Sequence, residues 1–251
     1  MEKRTDKNSY TLLFAIAMSV IVGTILAFTA QVLKSKIDDN RRMEKQQNIL
    51  YAMGVNENTG ENDVVMIPTN KVADAFKKYI VKQIVIQGDK ITDNDKAYLI
   101  DLKTEQESAK KTGYQRRLPL FIGKKDGKTF YIVPVRGKGL WDAIWGYVAL
   151  DNNMVVQGAF FDHKGETPGL GANITQRFFV DDFKGEHVLD KNGNFKGITV
   201  LKGNNDPLNK DKNDNEIDAL AGATITSNGV TSMLKNELKL YEPYFKNLNK
   251  K

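Results

Sequence analysis

The sequence predicts an α+β protein: a single N-terminal transmembrane helix, followed by a domain built on a mixed or antiparallel sheet with flanking helices. Three observations support this prediction. An uncharged apolar run lies near the N-terminus, several short β-forming runs separated by turn residues follow, and an amphipathic helical pattern comes last. The length of 251 residues fits one large domain with an appendage.

The apolar run Tyr10–Leu33 contains no charged residue. Its roughly 24 residues would form a helix about 36 Å long, which is enough to cross the core of a bilayer. A cleaved signal peptide is the alternative, but its apolar region is typically about 7–15 residues long and ends at a small-x-small site. Phe28-Thr29-Ala30 fits such a site poorly. We therefore expect a short tail (1–9), a transmembrane helix (10–33), a helical stalk (34–54) and a folded domain (55–251).

Positive residues flank both ends of the apolar run, and more of them follow it than precede it. They are Lys3, Arg4 and Lys7 on one side and Lys34, Lys36, Arg41, Arg42 and Lys45 on the other. A local count of positive charge would leave the large domain in the cytoplasm, although long domains are translocated despite this bias. Charge alone therefore does not decide the side of the membrane.

Local patterns predict the remaining elements in order. The helical pattern of the stalk continues to about Met53, with Gly54 as its stop. Strands are expected at Ile80–Ile86, Leu118–Ile122, Thr129–Val135, Ala143–Leu150, Val155–Phe161 and Lys196–Leu201. Helices are expected at Val72–Tyr79, Gly171–Asp181 and Asn228–Tyr241, and polar loops at Asn56–Asp63 and Gly203–Asn215.

The composition excludes several kinds of chemistry. The chain has no cysteine, so it forms no disulfide, thiolate zinc site or iron–sulfur centre of its own. His163 and Glu166 are too few ligands for a metal site. Lysine and arginine outnumber the acids by 37 to 31 but are scattered, so we expect no nucleic-acid partner. No hydrolase, phosphate-loop or dinucleotide motif is present, and we assign no catalytic residue.

The stretch Asp218-Ala219-Leu220-Ala221-Gly222-Ala223-Thr224 leads into the last helical pattern. The small residues Gly222 and Ala223 leave the Thr224 hydroxyl exposed where a helix begins. The free amides of a helix N-terminus, together with the helix dipole, favour a phosphate at that point. Thr226 and Ser227 are the nearby alternative hydroxyls.

Two further segments combine glycine with residues that suit a ligand. In Gly137–Trp141, glycines adjoin Leu140 and Trp141, and Trp145 follows; core packing and stacking on a flat aromatic cofactor both suit these indoles. In His163–Gly171, a proline and glycines permit either a structural turn or a close backbone approach. The residues of interest in these segments are Gly139, Leu140, Trp141, Trp145, Glu166, Thr167, Leu170 and Gly171.

Taken together and in this order behind one apolar helix, the three motifs resemble the C subunits of Na⁺-translocating NADH:quinone reductases. The G subunits of Rnf electron-transport complexes share the same FMN-binding domain. In these proteins a flavin transferase joins FMN through a phosphoester to the last threonine of the Asp-x-x-(Ser/Thr)-Gly-Ala-Thr motif. The resemblance implies that Thr224 is the acceptor, with Asp218, Gly222 and Ala223 in matching positions, while Ala221 departs from the motif.

The resemblance also implies the setting and the work of the chain. The domain would lie on the periplasmic side of a bacterial inner membrane, and its covalent FMN would relay electrons between partner subunits without a complete active site in this chain. Gly139–Trp141 and Glu166–Leu170 would wall the flavin. The alternatives are a G-type subunit with another electron donor, a membrane-anchored binding or scaffold domain without cofactor, and a free-standing flavoprotein reductase.

Overall fold

The computed structural model describes residues 8–60, 64–203, 206 and 208–250. The chain divides into two compact units, Met1–Arg42 and Met43–Lys251. Most of the predicted N-terminal tail, and part of each predicted polar loop, lie outside the described residues. The predicted transmembrane helix and stalk form one continuous helix, α1 (Asn8–Ala52). Within the described residues, α1 is the one helix whose length and composition would allow it to cross a membrane.

The helix α1 ends at Ala52, and Gly54 terminates it, as the sequence predicts. Gly54 has a φ angle of +76°, and its amide donates to the carbonyl of Tyr51 at 2.9 Å. The amide of Val55 donates to the carbonyl of Leu50, also at 2.9 Å. This is a Schellman motif, which satisfies the last carbonyls of a helix and needs a residue that tolerates positive φ. Leu50 and Val55 are both buried, so the helix ends inside the core of the second unit.

The second unit is built on a six-stranded sheet that is antiparallel throughout, with the strand order β2-β1-β3-β4-β5-β6. Its strands are β1 (Ile80–Gln87), β2 (Lys90–Asp93), β3 (Leu118–Lys125), β4 (Lys128–Lys138), β5 (Ala143–Leu150) and β6 (Val156–His163). Five of them were predicted. The strand β2 escaped prediction because its four residues are all exposed and show no apolar alternation. A separate parallel pair joins β7 (Thr199–Leu201) to β8 (Glu216–Asp218).

The helices of the second unit match the prediction only in part, and the short helices at Leu102–Ser108 and Glu242–Leu248 were not predicted. They are α2 (Thr69–Tyr79), α3 (Leu102–Ser108), α4 (Arg177–Val180), α5 (Thr224–Leu238) and α6 (Glu242–Leu248). A continuous helix over Gly171–Asp181 is wrong: Gln176 is extended (φ −81°, ψ 146°) and separates a 3₁₀ turn at Gly171–Thr175 from the single turn of α4. The last predicted helix, Asn228–Tyr241, begins at Thr224 instead, and a 3₁₀ turn extends it to Tyr241.

Both faces of the sheet are covered by apolar packing. One face packs against α5, α6 and the 171–183 segment, through residues that include Val133, Ile144, Phe161, Phe179, Val230, Leu234 and Phe245. The other face packs against the end of α1 and against α2, through residues that include Ile49, Phe76, Phe121, Tyr147 and Phe160. Side chains of successive strand residues alternate between these two faces.

Close packing brings α5 against the end of β4. A Cβ atom on Gly137 would lie 2.7 Å from the Cβ of Met233. A Cβ atom on Gly229 would meet the carbonyl oxygen of Lys138 and the Cα of Gly139. Glycine at 137 and 229 therefore allows the helix to lie on the β4–β5 hairpin. This contact sets the position of the start of α5.

Candidate functional site

The three sequence motifs meet at the start of α5. The turn 139–142 joins β4 to β5 and is closed by a bond from the Gly139 amide to the Asp142 carbonyl (2.9 Å). The segment 166–171 follows β6 and leads into the 3₁₀ turn at Gly171–Thr175. The third segment, 222–227, contains the first turn of α5. The antiparallel hairpin and the packing of α5 upon it bring these distant parts of the chain together.

The carboxylate of Glu166 lies where the three segments converge. It accepts hydrogen bonds from the amides of Trp141 (2.9 Å), Leu140 (3.3 Å) and Asp142 (3.5 Å), and from the hydroxyl of Thr226 (2.5 Å). Only 4% of Glu166 is exposed. Burial alone would raise the pKa of Glu166, but the bonds from Thr226 and from these amides hold its pKa below the ordinary value. The side chain is therefore a buried anion with donors on both oxygens.

Two glycines leave room for this carboxylate. A Cβ atom on Gly139 would lie 2.6 Å from Oε1 of Glu166. A Cβ atom on Gly171 would lie 2.7 Å from Oε2 of Glu166 and 2.5 Å from the hydroxyl oxygen of Thr226. These distances are shorter than any ordinary carbon–oxygen contact, so glycine at 139 and at 171 allows close packing inside the site.

The hydroxyl groups near the start of α5 differ sharply in exposure. Thr224 is the first residue of α5 and is exposed. Thr226 and Ser227 are each 1% exposed. Thr226 donates to Glu166, and the hydroxyl of Ser227 accepts from the amide of Leu220 (3.3 Å). Of the three hydroxyls that the sequence offered, the structure leaves that of Thr224 accessible.

The first turn of α5 is also open to an anion. Its N-cap residue is Ala223, and no side chain caps the helix. The amides of the first turn therefore lack the carboxylate or hydroxyl oxygen that usually satisfies them. Gly222, with a φ angle of +71°, turns the chain into the helix, and a Cβ at this position would lie 2.9 Å from Leu170. The arrangement fits the phosphate preference that the sequence predicted.

An exposed apolar rim lies beside Thr224. Its members are Leu140, Trp141 (66% exposed), Leu170 and Ile225 (57% exposed). The indole nitrogen of Trp141 donates to the hydroxyl of Thr167 (3.1 Å), which links the first two segments at the surface. Leu140 and Ile225 line an open groove of about 710 Å³, whose other lining residues include Lys138, Asn228 and Ser232. Large apolar side chains held at the surface are typical of a ligand or partner site.

The structure does not bring two predicted residues to this site. Trp145 follows Ile144 in β5 and therefore faces the opposite side of the sheet, where it lines a cavity of about 170 Å³ with Tyr98 and Tyr147. Asp218 ends β8. The strand β8 contacts the 3₁₀ turn at Asp181–Phe183, which places Asp218 beside that turn. Across the part of the chain that the structure describes, Asp218 accepts no hydrogen bond from the amides of the first turn of α5 and makes none with Glu166.

The sequence predicted Glu166 only as part of a wall of the site and did not indicate its central position. The signal available was a carboxylate inside a glycine-rich loop, since a buried carboxylate needs several donors and glycines let backbone amides approach. The amide of Glu166 itself donates to Nδ1 of His163 (3.1 Å), so this histidine serves the turn. Over the described ranges, no group of three or more His, Cys, Asp or Glu side chains is arranged to hold a metal ion.

The fold and this site correspond to one class of domain. The family described as FMN-binding domain matches residues 139–239, a range that contains all three segments and α5. Flavin phosphate fits the residues present: uncapped amides with an exposed hydroxyl on one side, and an exposed apolar rim on the other.

Sequence and structure comparisons agree on the family. The C subunit of the Na⁺-translocating NADH-quinone reductase of Vibrio anguillarum is 30% identical over 245 residues, covering 92% of this chain and 90% of that protein. The C subunit of the Neisseria meningitidis serogroup B enzyme is 31% identical over 239 residues, with the same coverage of 92% and 90%. The crystal structure of the C subunit from Parabacteroides distasonis superposes with a TM-score of 0.70 at 30% identity, over 85% of this chain and 96% of that one. The chain belongs to the family of Na⁺-translocating NADH-quinone reductase C subunits.

Proposed function

We propose that this chain is the electron-relay subunit of a Na⁺-translocating NADH:quinone reductase and carries FMN covalently, through a phosphoester to Thr224. The observation that supports the attachment residue is the contrast among the hydroxyls: Thr224 is exposed at an uncapped helix start, while Thr226 and Ser227 are buried and hydrogen-bonded. Family membership supports the cofactor and the complex. The relatives named above are C subunits, which favours this assignment over a G-type subunit.

The attachment chemistry follows from the groups present. A bond forms between Oγ1 of Thr224 and the phosphorus of the flavin phosphate, and the bond from that phosphorus to its leaving group breaks. The donor must therefore be an activated flavin phosphate, such as a phosphoanhydride, and the flavin transferase accepts the hydroxyl proton. No general base of this chain contacts Thr224 among the described residues, so the transferase would supply it. Thr224 is a tether rather than a catalytic nucleophile.

The chain's own residues would hold and orient the cofactor. The attached phosphodiester keeps a negative charge, which the uncapped amides of the first turn of α5 stabilise. Leu140, Trp141 and Leu170 offer apolar surface for a flat ring. Gly139 and Gly222 allow the close packing on Glu166 and Leu170 that supports this surface. Bound flavin would supply the capacity to take up and release electrons.

The setting of the domain is also part of the proposal. The helix α1 would anchor the chain in the inner membrane, with residues 10–33 spanning the bilayer and residues 34–54 as a stalk. The domain 55–251 would lie on the periplasmic side. Its partners would be the other subunits of the complex, the lipid bilayer and, during maturation, the flavin transferase. Sodium movement would belong to those other subunits.

Mass spectrometry of the full-length chain produced with a flavin transferase tests the attachment. We expect one FMN adduct, located on Thr224 by peptide analysis. Thr224→Ala should abolish the adduct, and the matched variant Thr224→Ser should keep it, because serine retains the hydroxyl. A bare chain mass, or an adduct that survives Thr224→Ala on another residue, would contradict the assignment. In-gel fluorescence under ultraviolet light gives the same answer quickly: a scaffold domain without cofactor would show no band.

A further inference from the structure

We propose that Glu166 is the positioning residue of the flavin site: its buried carboxylate shapes the site before the flavin arrives and sets the flavin's electrostatic surroundings. This inference rests on the proposed attachment of FMN to Thr224. It concerns how the chain prepares that attachment, since Glu166 acts on Thr224 through other residues and not directly.

The geometry gives one side chain control of all three segments. Glu166 belongs to the second segment, accepts from three amides of the first and accepts from the Thr226 hydroxyl of the third. Thr226 is separated from Glu166 by 60 positions and stands two residues beyond Thr224. The bond from Thr226 therefore holds the first turn of α5 against the loop. In this way the position of the Thr224 hydroxyl depends on a carboxylate it does not touch.

The same carboxylate determines how the apolar rim is presented. The amides of Leu140 and Trp141 point inward to Glu166, and their side chains are exposed. In a tight turn, backbone donors that face one side leave the side chains on the other. Without the carboxylate, two or three amides would be buried without partners, which is a costly state that the turn would escape by rearranging. Loss of Glu166 would therefore misplace Leu140 and Trp141 as well.

The charge matters beyond the shape. A carboxylate accepts on both oxygens, whereas a glutamine amide accepts on one side and donates from the other. Glu166→Gln could keep the bond from Trp141 and donate to the Thr226 oxygen, but it would leave the Leu140 amide facing a donor. It would also remove a buried negative charge close to the proposed flavin. Adding an electron to a flavin near a fixed negative charge is disfavoured, so removal of the charge should raise the flavin's reduction potential.

Glu105 offers a matched control. It is also a buried carboxylate, 1% exposed, held by Arg117 (2.8 Å to Nε) and by the Tyr114 hydroxyl (2.7 Å). None of these partners belongs to the three segments. Glu105→Gln therefore measures the general effect of neutralising a buried carboxylate in this fold.

The test compares full-length wild type, Glu166→Gln and Glu105→Gln. In unflavinylated chains, hydrogen exchange at the amides of residues 140–142 should accelerate at least about tenfold in Glu166→Gln only. With purified flavin transferase and its activated flavin substrate, kcat for attachment should fall about tenfold or more, with a smaller change in KM, because the acceptor is misplaced rather than removed. In the chains that do carry flavin, the reduction potential should be more positive for Glu166→Gln than for wild type.

Two results distinguish a failure of this inference from a failure of the proposed function. If Glu166→Gln matches Glu105→Gln in exchange, attachment kinetics and potential, Glu166 is only a structural carboxylate and the inference is wrong. If wild type itself takes up no flavin on Thr224, the proposed function fails, whatever the exchange data show. Thr226→Val gives an independent reading, because it removes one donor and keeps the charge. It should slow attachment while leaving the potential nearer to that of wild type.

Discussion

Replacing Gly171 by alanine tests whether the three segments pack as closely as the structure shows. The new Cβ would lie 2.5 Å from the Thr226 hydroxyl oxygen and 2.7 Å from Oε2 of Glu166, so one of these groups must move. Both are buried and bonded to each other, which leaves little freedom to adjust. Overpacking of this kind costs about 1–3 kcal/mol. We expect Gly171→Ala to lower the thermal midpoint by several degrees, since about 1 kcal/mol corresponds to roughly 2–4 °C in a domain of this size.

Two other glycines of the same loop serve as controls. A Cβ on Gly165 would meet nothing within 4 Å, so Gly165→Ala should leave stability unchanged. Gly169 has open space but a φ angle of +76°, so Gly169→Ala should cost about 1–2 kcal/mol from backbone strain alone. The assay is thermal unfolding followed by tryptophan fluorescence, with in-gel flavin fluorescence as the second measurement. Flavin attachment should fall in Gly171→Ala and persist in Gly165→Ala. Equal behaviour of these two variants would refute the close packing around Glu166.

Three further predictions concern other parts of the domain. Burial raises the pKa of Glu186 from 4.5 to about 7 despite the neighbouring Lys212. Between these two pH values the folded state holds a proton that the unfolded state has released, so the stability of the fold falls as pH rises from 4.5 to about 7. Glu186→Gln should therefore raise the free energy of unfolding by up to about 3 kcal/mol at pH 8 and change it little at pH 4.5. Thermal unfolding at the two pH values measures this difference, and equal effects at both would contradict the prediction. Trp145→Phe should leave the flavin-bearing fraction unchanged, since Trp145 faces the other side of the sheet; a loss on the gel would place that face in the site. Gly54→Ala should cost about 1–2 kcal/mol at the Schellman turn, and an unchanged midpoint would show that the turn adapts.

Much of the architecture could be predicted because it follows from local patterns of apolar and turn residues. Five strands of the main sheet are short apolar runs bounded by turn residues, and the helices predicted at Val72–Tyr79 and Asn228–Tyr241 have a helical apolar pattern. The structure contains all of these elements, with the shifted bounds given above. The continuous helix predicted over Gly171–Asp181 is wrong, because the apolar residues in and after this segment serve a tertiary contact and not one face of a helix. Phe179 and Phe183 pack on Phe161 of β6, with ring centroids 6.2 and 5.1 Å away, and this packing is compatible with a break at Gln176.

Several individual site residues could be predicted from the sequence, but the contacts between them could not. Thr224, Gly139 and Gly171 could be singled out because small residues and an exposed hydroxyl carry a local signal. Trp145 was singled out because an indole can stack on a flat cofactor, but the structure places it on the opposite face of the sheet. Side chains alternate between the two faces along β5, so Ile144 and Trp145 face opposite sides of the sheet. A sequence pattern shows the alternation but does not state which face will meet α5.

By itself, the sequence determined the apolar helix, the β-rich domain with its final helix, and the three motifs whose order indicates the family. Only the tertiary structure decided that Thr226 and Ser227 are buried while Thr224 is exposed, and that one carboxylate, Glu166, joins all three motifs. The physical reason is the range of the interactions. Helix starts, turns and amphipathic faces depend on neighbours a few positions apart, whereas the bonds to the Glu166 carboxylate come from residues 24 to 60 positions away. Such bonds exist only after the β4–β5 hairpin and α5 have packed together.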